Sequence, residues 1–190
     1  VYSLLYNRCV YEAAEKYCKT GPFLFSRSSW TGSQRYPAQW GGDPQADWGG
    51  LSGSLRGGMS WGMTGAPFYA TDVGGFYADQ RDAELYVRWT QAAVFSAHIR
   101  LHGIGPREPW SYGDVAEAAV DKALKLRYQL LPYIKSVMEE ASETGLPVQR
   151  AMVLACPDEK AAWGFEDQFF FGRDMLVAPC LKSGGQIECY

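Results

Sequence analysis

Short apolar runs without polar alternation recur along this chain, at Phe23-Leu24-Phe25, at Pro67-Phe68-Tyr69-Ala70 and over residues 175–179. Strands of this kind are unfit for a sheet with one face in water, so both faces must be covered. Between them lie stretches of helical periodicity. Leu4, Leu5, Cys9, Val10 and Ala13 predict a helix over residues 1–19, which Gly21-Pro22 ends. Leu51, Leu55, Met59 and Met63 repeat every four residues and predict a second. That helix carries Gly53, Gly57, Gly58 and Gly62. Each costs roughly 1 kcal/mol against alanine, which implies close backbone packing. Asp82 is placed to cap a third helix reaching about residue 96, with Leu85, Trp89, Ala92 and Ala93 inward. Residues 99–113 carry several Gly/Pro breaks and read as an ordered loop. Residues 114–143 read as a long helix bent near Pro132. Residues 38–40 and 146–156 read as strands, residues 166–171 as a short helix and residues 186–190 as strand-like. Strand and helix in alternation predict an α/β fold with a parallel sheet or barrel.

Composition narrows the function. A formal net charge of −3 over 190 residues gives neither a nucleic-acid footprint nor a polybasic membrane patch. No apolar run approaches the roughly 20 residues that span a bilayer. The five cysteines form no CxxC pair and no zinc-type cluster, and an odd number favours a reducing compartment such as the cytoplasm. His98 and His102 lie four apart without an HExxH pattern, so no metal and no cofactor is expected. Seven Trp, 12 Tyr and 9 Phe among 21 Gly suit a pocket for a ring-shaped ligand. The chain starts at Val1 inside a helical pattern and stops in a strand-like run, so it is expected to be an internal piece of a longer protein.

Polar residues gather just after strand ends: Arg27, Asp43 and Asp72. Sites of (β/α)8 barrels sit on that face. Asp43 closes Gln39-Trp40-Gly41-Gly42-Asp43. Beside tryptophan and glycines a carboxyl can be desolvated, which raises its pKa and suits a general acid. A turn aspartate bonded to its own backbone is the alternative.

The runs FSRSSWTGSQRYPAQWGGD, LRGGMSWGMTGAPFYATDVGGF, RLHG, RYQLLPYI and PVQRAMVL followed by DMLVAP, in that order, resemble glycoside hydrolase family 31. The resemblance covers essentially the whole chain. It implies the C-terminal half of a (β/α)8 TIM barrel over residues 1–172 and the first strand of a following β-sandwich domain over residues 173–190. It also implies a retaining α-glycosidase acting on terminal α-glucosides or α-xylosides of oligosaccharides. Alternatives are a non-catalytic carbohydrate-binding relative and an α-transglycosylase. By the resemblance, Asp43 is the general acid/base, and the nucleophilic aspartate falls in a motif that precedes a helix like residues 1–19 and is absent here. Substrate-binding roles fall to Arg27, Trp40, Asp72, Phe76 and His102, with Asp72 holding sugar or orienting Arg27. Asp47 and Trp48 are expected near the leaving-group side, and Pro106, Arg107, Pro109 and Trp110 in a rigid loop beside the pocket. His98 is expected to pack, and Arg150 to form a structural ion pair. Ala70-Thr71 stand where many relatives carry Ser-His, which leaves the sugar open. A half barrel exposes strand edges, so the piece alone is expected to be inactive and to aggregate or dimerise.

Overall fold

The computed structural model describes residues 1–36, 38–77 and 81–190; Pro37, inside the longest motif, lies outside them. Helix α1 (Tyr2–Tyr17) is followed by strand β1 (Phe25–Ser26) and strand β2 (Ala38–Trp40). Helix α2 (Trp48–Met63) leads to β3 (Phe68–Ala70) and β4 (Asp72–Val73), two halves of one extended segment parted at Thr71. Helix α3 (Ala83–Ala93) leads to β5 (Arg100–Leu101). Helices α4 (Asp114–Gln129) and α5 (Leu131–Thr144) come next, then β6 (Gln149–Ala151), α6 (Met152–Ala155), β7 (Phe169–Phe171) and β8 (Met175–Val177).

The chain is α/β, as expected. β1, β2 and β3 pair in parallel, with Phe25 opposite Ala38 and Ala38 opposite Phe68. The extended segment then changes neighbours, and β4 pairs in parallel with β5, Asp72 opposite Arg100. Helices α2 and α3 are the crossovers. Leu51, Leu55, Tyr86, Trp89 and Val73 join Phe169 and Phe171 in one buried core.

Local chemistry explains the helices. Asp47 caps α2 by accepting from Gly50 N–H at 2.6 Å, and Asp82 caps α3 by accepting from Leu85 N–H at 3.0 Å. Of the α2 glycines, Gly58 lies against the Tyr69 ring and Gly62 lies 3.0 Å, by an ideal Cβ, from Pro147. Gly53 and Gly57 face open space, so the close packing expected of all four holds for two. The expected long helix is two, parted at Leu130, with Pro132 in the first turn of α5, where its missing N–H is tolerated.

Several expectations are corrected. Residues 99–113 are not loop throughout: Arg100–Leu101 is a strand and Pro109–Tyr112 a turn of 3-10 helix. The strand expected over 146–156 is three residues long and runs straight into α6. The helix expected at 166–171 is instead strand β7, and residues 186–190 form no strand. β6, β7 and β8 form an antiparallel sheet, apart from the parallel one. On α1, Leu5, Cys9, Val10 and Ala13 are exposed. The residue it buries is Asn7, whose amide donates to Ser28 O at 3.1 Å and Ser26 Oγ at 3.3 Å.

Candidate active site

Parallel strands end on the same side, so their trailing residues meet on one rim. Arg27 follows β1, Asp43 lies three residues beyond β2, Asp72 opens β4 with Phe76 just after it, and His102 follows β5. Arg27 Nη1 donates to Asp43 Oδ2 at 3.4 Å. Gly42 makes that approach possible: its φ is +88°, and a Cβ there would lie 2.6 Å from Arg27 Nε. A Cβ on Gly41 would meet the Tyr69 hydroxyl.

The setting of Asp43 differs from the apolar pocket expected of it. Its side chain is 22% exposed and faces a guanidinium. Trp40 stacks on Phe25 with ring centroids 5.0 Å apart and lies 5.1 Å from the Arg100 guanidinium. That is cation–π geometry.

Asp72 is fully buried. Arg100 Nε and Nη2 both donate to its Oδ1, at 2.8 and 2.6 Å. Its Oδ2 is buried with no partner among the described residues. Burial pushes the Asp72 carboxyl up and Asp43 adds to this, while Arg100 and His102 pull it down; burial prevails. Of the two roles left open for Asp72, sugar binding or orienting Arg27, the second has no ion pair with Arg27 behind it among the described residues. The cation at Asp72 is Arg100, which sequence reasoning missed although Arg100 opens the RLHG run.

Loop hydrogen bonds tie the rim together. The amides of Phe76 and Tyr77 both donate to Pro44 O, at 2.8 and 3.0 Å, and Ile104 N–H donates to Phe76 O at 2.9 Å. The Phe76 ring lies 5.5 Å from the His102 ring, and His102 is exposed. His98 packs edge-on against Phe25 at 4.9 Å; burial, with Arg127 and Arg100 nearby, lowers its pKa to about 4. Arg107 is buried rather than facing ligand: it donates to Gly75 O at 2.9 Å, and its carbonyl accepts from the Tyr86 hydroxyl at 2.5 Å. Trp110, from the same loop, is exposed. Asp47, expected near the leaving-group side, is spent on capping α2. Arg150 pairs with Glu140 at 2.8 Å, the structural ion pair expected of it. Among the described residues, no group of three His, Cys, Asp or Glu side chains could hold a metal ion.

Parallel strands joined by crossover helices, with Asp43, Asp72, Arg100 and His102 on or just beyond neighbouring strands, make this an α/β protein. Residues 1–137 match the glycosyl hydrolases family 31 TIM-barrel domain, and residues 145–190 match the glycosyl hydrolase family 31 C-terminal domain. The chain belongs to glycoside hydrolase family 31. It is 37% identical to an alpha-xylosidase of Emericella nidulans, over all of this chain and 24% of that protein. It is 36% identical to alpha-glucosidase 2 of Bacillus thermoamyloliquefaciens, over 95% of this chain and 23% of that protein. Among solved structures, a GH31 alpha-xylosidase from a soil metagenome, complexed with xylose, superposes with a TM-score of 0.89 at 37% identity, covering 95% of this chain and 30% of that one. A GH31 dextranase of Flavobacterium johnsoniae, complexed with glucose, superposes with a TM-score of 0.90 at 33% identity, covering 97% of this chain and 24% of that one. The chain thus spans about a quarter of the length of these curated relatives.

Proposed function

We propose that the whole protein is a retaining α-glycosidase that releases terminal α-linked glucose or xylose from oligosaccharides, with Asp43 as its general acid/base. The observation that carries this reading is the position of Asp43: on the rim, partly exposed, one guanidinium beside it and Asp72, Arg100, Phe76 and His102 on the neighbouring strand ends. The names of the relatives support the substrate class. A retaining mechanism needs a second carboxylate roughly 5–5.5 Å from the first. We assign that nucleophile to an aspartate outside these 190 residues.

In this reading Asp43 protonates the leaving glycosidic oxygen, then takes a proton from the water that opens the glycosyl-enzyme. Arg27 steadies the carboxylate it forms in between. His102 binds sugar hydroxyls, the fully buried Asp72 acts from beneath by holding Arg100, and Trp40 and Phe76 form apolar walls. No step calls for a cofactor.

The parallel strands β1 to β5 are read as the last four strands of a (β/α)8 barrel, β3 and β4 counting as one, and β8 as the first strand of a β-sandwich. The division into residues 1–172 and 173–190 is part of the proposal. A cut between residues 137 and 145, where the two family matches part, competes with it. Gly172 sits in the turn between the paired strands β7 and β8.

In the whole enzyme, Asp43→Asn is expected to cut kcat/KM on a disaccharide by about 10²–10⁴-fold. It should spare activated aryl glycosides, whose leaving groups need little protonation. Full activity of the variant on a disaccharide would overturn the assignment.

A further inference from the structure

Helices α2 and α3 pack against the extended segment Phe68–Val73, α2 on β3 and α3 on β4. Where they meet it lies a small, partly open cavity of about 20 Å³, lined by Leu51, Leu55, Ala92 and Ala93 together with Thr71 and Trp89. Two of the lining residues carry buried polar atoms with no hydrogen-bond partner among the described residues: the indole Nε1 of Trp89 and the hydroxyl Oγ1 of Thr71. Trp89 is 0% exposed. An indole N–H donates only, whereas a hydroxyl both donates and accepts. Buried groups of this kind are nearly always satisfied, by protein or by ordered water. Another hydroxyl lining the cavity, that of Ser96, shares its one proton between the carbonyls of Ala93 at 2.5 Å and His98 at 2.6 Å.

We propose that this cavity is a binding site for one water molecule that bridges Trp89 to Thr71. A cavity holds a water once its volume exceeds roughly 10–15 Å³ and polar partners are present; this one passes both conditions. The Trp89 N–H donates to the water oxygen, and the water donates to Thr71 Oγ1. Thr71 stands where the extended segment leaves β2 and takes up β5, directly before Asp72. The water therefore joins α3 to the sheet at the one residue that β3 and β4 leave out.

The test is a crystal structure of the whole protein at a resolution that shows ordered water. The expected result is a single peak within about 3.2 Å of both atoms. An empty cavity, or either atom bonded directly to protein, overturns the proposal. A second measurement uses selective ¹⁵N-tryptophan labelling, with the Trp89 resonance assigned through Trp89→Phe. Thr71→Val keeps the side-chain shape and removes the hydroxyl. It is expected to release the water and move the Trp89 indole N–H resonance upfield as it loses its acceptor. An unchanged resonance in the folded variant overturns the bridge. If the variant does not fold, the wild-type structure alone decides.

Discussion

Arg100 grips Asp72 by one oxygen: both its Nε and its Nη2 reach Oδ1, leaving Oδ2 buried and without a partner among the described residues. A fork that could have bonded both oxygens thus spends its donors on one. The second oxygen keeps its capacity to accept a hydrogen bond.

Removing the cation should therefore be costly. Arg100→Met leaves a carboxyl that is 0% exposed without its counter-charge. A broken buried pair costs about 3–5 kcal/mol, and since the Arg100 side chain is 34% exposed, the low end applies. We expect about 3 kcal/mol lost in denaturant unfolding of the whole protein. A loss under about 1 kcal/mol would show that water already screens the pair.

The pH response should contain a histidine signature. The fold keeps His98 neutral down to about pH 4, against 6.5 ordinarily. On acidification the unfolded chain takes up that proton first, so the stability His98 lends is complete above about 6.5 and is lost as pH falls towards 4. His98→Phe, which retains a ring against Phe25, should flatten the slope of Tm against pH in this window. An identical slope in the variant would assign the acid sensitivity to other groups.

The glycines of α2 should divide into two kinds. Gly53→Ala and Gly57→Ala place their methyls in open space and should each stabilise by about 0.5–1 kcal/mol. Gly58→Ala drives a methyl into the Tyr69 ring and should destabilise. Thermal unfolding of the three variants, measured side by side, decides it, and equal shifts would contradict the packing described for Gly58.

Asp47 offers a test that separates stability from turnover. As the cap of α2 it should cost about 1 kcal/mol when replaced by alanine. kcat and KM on a disaccharide should stay within about twofold of wild type, a shift too small to register as lost transition-state binding. A tenfold rise in KM with unchanged stability would return Asp47 to the leaving-group side.

Much of this was legible in the sequence, and what escaped shares a cause. The fourfold repeat of α2 and the Asp82 cap of α3 are local signals, and both stand in the fold. Strand β5 is two residues long, too short for any periodicity to register, and with it went Arg100. Asp43, Asp72 and His102 stand out as candidates by motif position. Their partners follow from register, which pairs residue 72 with residue 100, and no local pattern encodes that pairing. The strand Phe169–Phe171 was read as a helix because three apolar residues in a row fit either state. The exposed apolar residues of α1 show the limit of periodicity: it marks a face, not what that face meets.

The carbonyl of Pro44 accepts amides from both Phe76 and Tyr77, so the loop that bears Asp43 and the loop that bears Phe76 are effectively one piece of backbone. An insertion in either would have to be absorbed by both. For anyone seeking to retune this pocket, those two loops are poor places to begin. The longer connection between β1 and β2 is fastened by side chains instead, Asn7 donating to Ser28 O at 3.1 Å and Arg27 to Asp43 at 3.4 Å, so a change of length between residues 29 and 36 would leave both ties standing.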